Sequence, residues 1–75
     1  MTATTYRRET TGWESLTPTE RAVVELLLEG GTNRAIGDRL GVSRRTVETH
    51  LAHVFMKLGV DSRVSVATHA ARRGM

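Results

Sequence analysis

Cysteine is absent from this sequence, which also contains one proline and few aromatic residues. Without cysteine the chain forms no disulfide and no thiolate metal site. No apolar run approaches the roughly 20 residues of a membrane-spanning helix, and the N-terminus lacks the charged-then-apolar layout of a signal peptide. No alternating apolar and polar run suggests a strand. These absences favour an all-α cytoplasmic protein without membrane contact.

Charge is distributed unevenly along the 75 residues, a length that suffices for one small domain. The formal net charge is +3; residues 1–29 contain three Arg and five Glu, whereas residues 30–75 contain eight basic and three acidic residues. A basic half of this kind is the electrostatic footprint of a nucleic-acid binder. Basic surfaces also serve solubility, so charge alone does not decide the function.

The longest periodic segment, residues 44–58, is predicted to be a helix. Ser43 suits its N-cap, Val42 and Val47 have the spacing of a hydrophobic staple, and Gly59 can end it in the left-handed conformation. Apolar residues with a period of 3.6 predict its buried face: Val47, Leu51, Val54 and Leu58. The opposite face carries polar, small and cationic side chains: Arg45, Thr49, Ala52 and Met56, flanked by Glu48 and His53.

A shorter helix, residues 33–40, precedes this one, with Thr32 as its cap. Gly37 lies inside it, where glycine costs about 0.5–1 kcal/mol relative to alanine. Close approach of the next helix would explain that glycine. Only Gly41 and Val42 separate this helix from the Ser43 cap, and two helices joined by so short a turn predict a helix-turn-helix.

Two further helices are predicted, at about 18–29 and 62–73. The first starts with the capping box Thr17-Pro18-Thr19-Glu20. Its inward residues are Val23, Val24, Leu27 and Leu28, and its acidic outer side should face away from DNA. The last helix is rich in small apolar residues, which suit either self-association or packing onto the other helices: Val64, Val66, Ala67, Ala70 and Ala71.

Residues 1–15 are polar and rich in threonine, and are predicted to be a flexible arm or linker, with the domain at 16–75. Within this part of the chain, Trp13 is expected to fold onto the core together with Leu16.

Several separated blocks appear in a family-specific order: Leu16-Thr17-Pro18-x-Glu20-Arg21, Gly30-x-Thr32-Asn33-Arg34-x-Ile36, Leu40-Gly41-Val42-Ser43, Thr46-Val47-Glu48-Thr49-His50 and Lys57-Leu58-Gly59-Val60-x-Ser62-Arg63. In these blocks the sequence resembles the LuxR/NarL-type, or FixJ/GerE-type, DNA-binding domain of bacterial transcription regulators. The resemblance implies a compact four-helix domain whose third helix reads double-stranded DNA and whose fourth supports dimerisation on an inverted repeat. It also implies an output domain that works in the cytoplasm on the nucleoid, with RNA polymerase as a further candidate partner.

The resemblance assigns base-reading residues, and the helix N-termini and the small residues of the last helix indicate further site residues. The base-reading positions fall on Glu48, Thr49 and Ala52, with His53 beside them. Residues near the N-termini of the second and third helices, together with Lys57, are expected to contact phosphates: Thr32, Asn33, Arg34, Ser43, Arg44, Arg45, Thr46 and Lys57. The expected dimer interface comprises Arg63, Val66, Ala67 and Ala70.

The chain departs from the family pattern at a few positions. Ala35 replaces the usual Glu after Arg34, Gly37 replaces Ala, and Ser65 replaces a frequent Glu. Glu48 stands where relatives often have Lys, and could accept a hydrogen bond from cytosine or instead orient Arg45.

Other functions find less support in the same residues. His50 and His53 are three apart, but they point to different sides of the helix, so no metal site is expected. Scattered carboxylates and the lack of a phosphate-binding loop argue against an enzyme, and no cofactor or small-molecule ligand is indicated. A sigma-factor helix-turn-helix and a helical protein adaptor that no longer binds DNA remain as alternatives.

Overall fold

The computed structural model describes residues 12–74, and every α-helix in them starts at a hydroxyl-bearing cap. The helices are α1, Pro18–Leu28; α2, Asn33–Leu40; α3, Arg44–Leu58; and α4, Arg63–Arg73. The predicted all-α, four-helix architecture is therefore confirmed. The structure adds a short 3₁₀ helix, Trp13–Ser15, which is too short to show periodicity in a sequence.

The helix caps follow the sequence signals closely. Thr17 and Glu20 form the full capping box, each side chain bonded to the other residue's amide, at 3.1 and 2.9 Å. The hydroxyls of Thr32, Ser43 and Ser62 each accept a hydrogen bond of 3.1 Å from the amide three residues on. α2 and α3 both end at a left-handed glycine, with φ of 73° at Gly41 and 69° at Gly59.

The core lies around α3, whose apolar stripe of Val47, Leu51, Val54 and Leu58 is buried as predicted. Val23, Val24 and Leu27 meet it from α1, and Ile36 meets it from α2. Leu28, also predicted to face inward, is exposed at the last residue of α1. None of the helices in residues 12–74 is long and apolar enough to cross a membrane.

Gly37 explains how α2 and α3 come so close. A Cβ atom on Gly37 would lie 2.6 Å from the carbonyl oxygen of Val42 and 3.3 Å from the carbonyl carbon of Ser43. Backbone atoms cannot move aside as a flexible side chain would. The glycine therefore permits the tight turn that presents the N-terminus of α3, and the expected close approach is confirmed.

The packed part of the chain begins earlier than the predicted boundary at residue 16. Trp13 is buried in the core, and the Gly12 amide donates to the carbonyl oxygen of Lys57 at 2.7 Å. Residues 12–15, assigned from the sequence to a flexible arm, thus belong to the folded unit, and Trp13 packs as expected. Residues 1–11 of the predicted arm lie outside the described residues.

Candidate nucleic-acid interface

The N-terminal half of α3 projects its polar side chains into solvent. Arg44, Arg45, Glu48 and Thr49 are all exposed, as are Ala52 and His53 one turn further along. Glu48 lies beside Arg44, with 3.6 Å between Oε2 and Nε. The carboxylate thus pairs with Arg44 one helical turn away, rather than orienting Arg45 as one reading of the sequence proposed.

Hydroxyl groups on this half of α3 form hydrogen bonds within the helix and its cap. Thr49 donates its hydroxyl hydrogen to the carbonyl oxygen of Arg45, at 3.3 Å. Ser43 and Thr46 share a hydroxyl–hydroxyl hydrogen bond of 3.0 Å next to the cap. The hydroxyls at the helix start therefore have local partners, although Ser43 and Thr49 remain exposed.

An open groove runs between the N-termini of α2 and α3. It has a volume of about 610 Å³ and is lined by Gly30, Gly31, Thr32, Asn33, Arg34, Arg44, Glu48 and Arg63. Two helix N-termini bring unpaired amides and positive dipole ends to such a place. The groove thus gathers, in one electropositive depression, five of the residues predicted to contact DNA: Thr32, Asn33, Arg34, Arg44 and Glu48.

Arg63, predicted to lie in a dimer interface, is engaged inside the domain instead. Its guanidinium donates to the side-chain oxygen of Asn33 and to the carbonyl oxygen of Gly31. Arg63 therefore ties the start of α4 to the loop before α2. These contacts hold Asn33 at the groove and use two of the five guanidinium donors.

Lys57, predicted to contact phosphate, is also engaged internally. Its ammonium donates to Glu20 Oε1 at 2.7 Å and to the carbonyl oxygen of Ser15 at 3.0 Å. Only 21% of the Lys57 side chain is exposed, against 69% for Arg44. The structure therefore does not favour the phosphate assignment of Lys57, because its charge balances a buried carboxylate.

Glu20, predicted only as part of the capping box, is also buried beneath α3. Burial by itself raises the pKa of the Glu20 carboxyl. The hydrogen bonds from Lys57 and from the Thr17 amide, together with the charges of Lys57 and His53, outweigh burial and hold that pKa below its ordinary value. Glu20 is thus a negatively charged anchor between α1 and α3.

His53 lies beside the Glu20 anchor and is also part of the exposed face of α3. Its Nδ1 lies 3.6 Å from Glu20 Oε2, and about half of the side chain remains exposed. His50 lies partly buried one turn earlier. In the part of the chain that the structure describes, no three His, Asp or Glu side chains are placed to hold a metal ion.

Two residues of the predicted dimer interface lie in the monomer's own core. Val66 is 0% and Ala70 1% exposed, so neither can meet a second molecule. Packing onto the other helices, the alternative left open by the sequence, accounts for both. Ala67 is exposed, and so is Val64, at 75% exposure.

A contact that the sequence did not predict joins Trp13 to α4. The indole Nε1 donates to His69 Nδ1 at 2.8 Å, and Arg73 lies over the indole ring at 5.7 Å. A buried indole N–H needs an acceptor, which His69 supplies. Because the two residues are 56 positions apart, no local pattern could have paired them.

Comparison with known proteins agrees with this geometry. The model of the luxR family of bacterial regulatory proteins matches residues 14–70. A protein of Mycobacterium tuberculosis, named as an HTH-type transcriptional regulator, is 59% identical over 68 residues, covering 91% of this chain and 8% of the relative. The transcriptional regulatory protein LiaR of Bacillus subtilis is 41% identical over 59 residues, covering 79% of this chain and 28% of the relative.

A solved structure is similar over nearly the whole chain. The response regulator ChrA of a heme-sensing two-component system superimposes with a TM-score of 0.75 at 32% identity, covering 97% of this chain and 36% of ChrA. The fold and the family match are those of a helix-turn-helix DNA-binding domain. The chain belongs to the luxR family of bacterial regulatory proteins and spans only a small part of the relatives it matches.

Proposed function

We propose that this domain binds double-stranded DNA in a sequence-specific manner by inserting the N-terminal half of α3 into the major groove. The observation that carries the proposal is the exposed polar half of α3 next to the electropositive groove at the start of α2. A recognition helix presents its N-terminal residues to base edges in this motif. The Gly37 turn holds the two helices in the required close arrangement.

The phosphate contacts of this proposal lie at the two helix N-termini. Arg34, Arg44 and Arg45 supply exposed positive charges, while unpaired backbone amides and the helix dipoles favour an anion at the same place. Polar side chains around them complete the predicted set: Thr32, Asn33, Ser43 and Thr46. Lys57 is left out, because its ammonium is bound to Glu20.

Base discrimination is proposed for the reading face of α3, which we define as Glu48, Thr49, Ala52 and His53. All four are exposed on consecutive turns of the helix. Because they stand beyond the phosphate-binding N-terminus, a helix docked by its first turn would bring them to the base edges.

Dimerisation on an inverted repeat is proposed to use the outer side of α4. Val64, Ala67, Thr68 and Ala71 are exposed and follow one another at helical spacing. A two-fold pair would use this patch twice and place two reading helices on two half-sites. So short a helix buries far less than the ~800 Å² per partner of a standard interface, so DNA would have to bring the two copies together.

The dimer proposal is tested by the substitution Ala67→Glu. It should abolish cooperative occupancy of two half-sites and leave binding to one half-site within about twofold. Thr19→Glu adds the same charge to exposed α1 and is the control. If Ala67→Glu retains cooperativity, the interface lies elsewhere.

As part of a bacterial regulator, the domain would act in the cytoplasm on the nucleoid, with RNA polymerase as a further proposed partner. A regulator that changes transcription must at some point influence the polymerase at the promoter it occupies. Binding of polymerase to a promoter fragment with and without the domain would show whether the two interact.

DNA binding itself is tested by titrating a fluorescent random-sequence duplex at several salt concentrations. Each phosphate contact releases counterions and contributes about −0.9 to the slope of log affinity against log salt. We expect a slope of several units. A slope close to zero would favour the protein-adaptor alternative, because such an interface releases few counterions.

A further inference from the structure

We infer that the reading face of α3 recognises bases by acceptors and methyl groups, and therefore selects cytosine, adenine or thymine rather than guanine at the positions it touches. The inference deepens the proposed function and rests on it. Within the described residues, none of Glu48, Thr49 and Ala52 has a side-chain hydrogen available for a base. This is unusual for a basic domain, since Arg or Lys to guanine is the commonest specific contact with DNA.

Glu48 supplies the principal acceptor. A carboxylate has two oxygens with about four lone-pair sites and no hydrogen to donate. The contact with Arg44 Nε, at 3.6 Å from Oε2, occupies only part of this capacity. Arg44 also compensates the negative charge that would otherwise meet the DNA phosphates. The pair therefore permits a carboxylate to enter the groove.

The hydroxyl of Thr49, its one side-chain donor, is bonded within the helix. Its hydroxyl hydrogen is directed to the Arg45 carbonyl oxygen at 3.3 Å, which leaves the oxygen lone pairs and the methyl group. Ala52, one turn along, presents only a methyl group and is exposed. These two side chains form an apolar step that matches the C5-methyl of thymine.

His53 lies at the far end of the same face. Its Nδ1 is 3.6 Å from the Glu20 carboxylate, so this nitrogen is engaged with α1 rather than presented to a base. Glu48, Thr49 and Ala52 therefore carry the base contacts.

The donors, acceptors and methyl groups on the base edges determine which bases these side chains prefer. In the major groove cytosine offers an amino donor, adenine an amino donor beside an acceptor, thymine a methyl group, and guanine two acceptors. If a Glu48 oxygen faces guanine, both guanine acceptors stay unpaired, and the acceptor atoms repel one another. Glu48 should therefore accept a G·C pair only when cytosine lies beneath it, which gives the half-site a direction.

Base analogues in a half-site selected from random duplexes test the inference directly. Replacing guanine by 7-deazaguanine at the positions beneath Glu48, Thr49 and Ala52 removes the N7 acceptor, and we expect an affinity change below twofold. Replacing thymine by uracil beneath Thr49 and Ala52 removes a methyl group and should weaken binding about fourfold. A loss of tenfold or more with 7-deazaguanine would overturn the inference, because it would reveal a donor on guanine.

Two substitutions of Glu48 complete the test. Glu48→Lys installs a donor and should move the preferred base at one position to guanine, with new sensitivity to 7-deazaguanine. Glu48→Gln keeps the shape, adds a donor beside the acceptor, and should move the preference to adenine. Selected sites that are identical for all three proteins would refute the assignment. If the unaltered domain fails to bind any duplex at low salt, the proposed function fails; binding that depends on guanine N7 refutes this inference alone.

Discussion

The two halves of α3 place their charged side chains in opposite environments, one exposed and the other paired inside the domain. In the N-terminal half, Arg44, Arg45 and Glu48 are exposed and have at most a surface partner. In the C-terminal half, Lys57 is held by the buried carboxylate of Glu20 and by a backbone carbonyl. Exposed ion pairs contribute little to stability, whereas a buried charge requires its partner. One half of the helix therefore remains available to a ligand, and the other fixes the helix to the domain.

The difference shows why a basic residue on a recognition helix need not be a DNA contact. Lys57 and Arg45 lie on the same helix, yet only the lysine has a carboxylate beneath it. That carboxylate comes from α1, 37 positions earlier in the chain. The function of each cation is thus decided by what the other helices place beside it.

Breaking the anchor should produce the largest effect. Lys57→Met leaves the Glu20 carboxylate buried without its partner, and we expect the free energy of unfolding to fall by about 3 kcal/mol. Arg44→Met removes an exposed i,i+4 pair and should cost about 0.3–0.5 kcal/mol. Urea denaturation followed by the fluorescence of the single Trp measures both. Equal losses in the two variants would contradict the contrast between the halves.

Arg63 should give an intermediate effect. Arg63→Gln removes charge-assisted hydrogen bonds to Asn33 and Gly31, so the start of α2 is held less firmly, at a cost of about 1.5–3 kcal/mol in stability. Affinity for duplex DNA should fall as well, because Asn33 lines the groove. The variant Asn33→Ala provides the comparison in a double-mutant cycle.

If Arg63 acts through Asn33, the double variant should lose little more affinity than Arg63→Gln alone. Fully additive losses would mean that Arg63 contacts DNA itself. Cooperativity between half-sites should be unchanged in every member of the cycle, since Arg63 is engaged inside the monomer.

Acid should weaken the anchor by a smaller amount. The pKa of Glu20 is lowered in the folded domain from an ordinary value of 4.5, so its stabilising contribution is complete above that value and is lost as pH falls through the folded pKa. The unfolding free energy should therefore fall with acidification more steeply than in Glu20→Gln, which has no proton to bind there. Parallel profiles below pH 4.5 would show that Glu20 is not the titrating anchor.

Local signals predicted the helices well, and long-range packing explains what they missed. The caps at Thr17, Thr32 and Ser43 and the stripe on α3 depend on residues a few positions apart, so the sequence contains them in full. The burial of Val66 and Ala70 depends on which side of α4 meets the core, and small apolar residues on several sides left that undecided.

The partners of Lys57 and Arg63 illustrate the same limit at the candidate site. Each lies 30 or more positions away and has no spacing rule. The exposed positions of α3 were predictable because they stand opposite a clear apolar stripe. The contact between Trp13 and His69, across 56 positions, was not.

The contrast between the halves of α3 is tested most directly by the salt dependence of DNA binding in two variants that each remove one positive charge. Arg45→Gln should lower the magnitude of the slope of log affinity against log salt by about 0.9, the value for one phosphate contact. Lys57→Met, measured at a temperature where it remains folded, should leave that slope unchanged. An unchanged slope in Arg45→Gln together with a reduced slope in Lys57→Met would contradict the account, since it would place the phosphate contact at the anchored end of the helix.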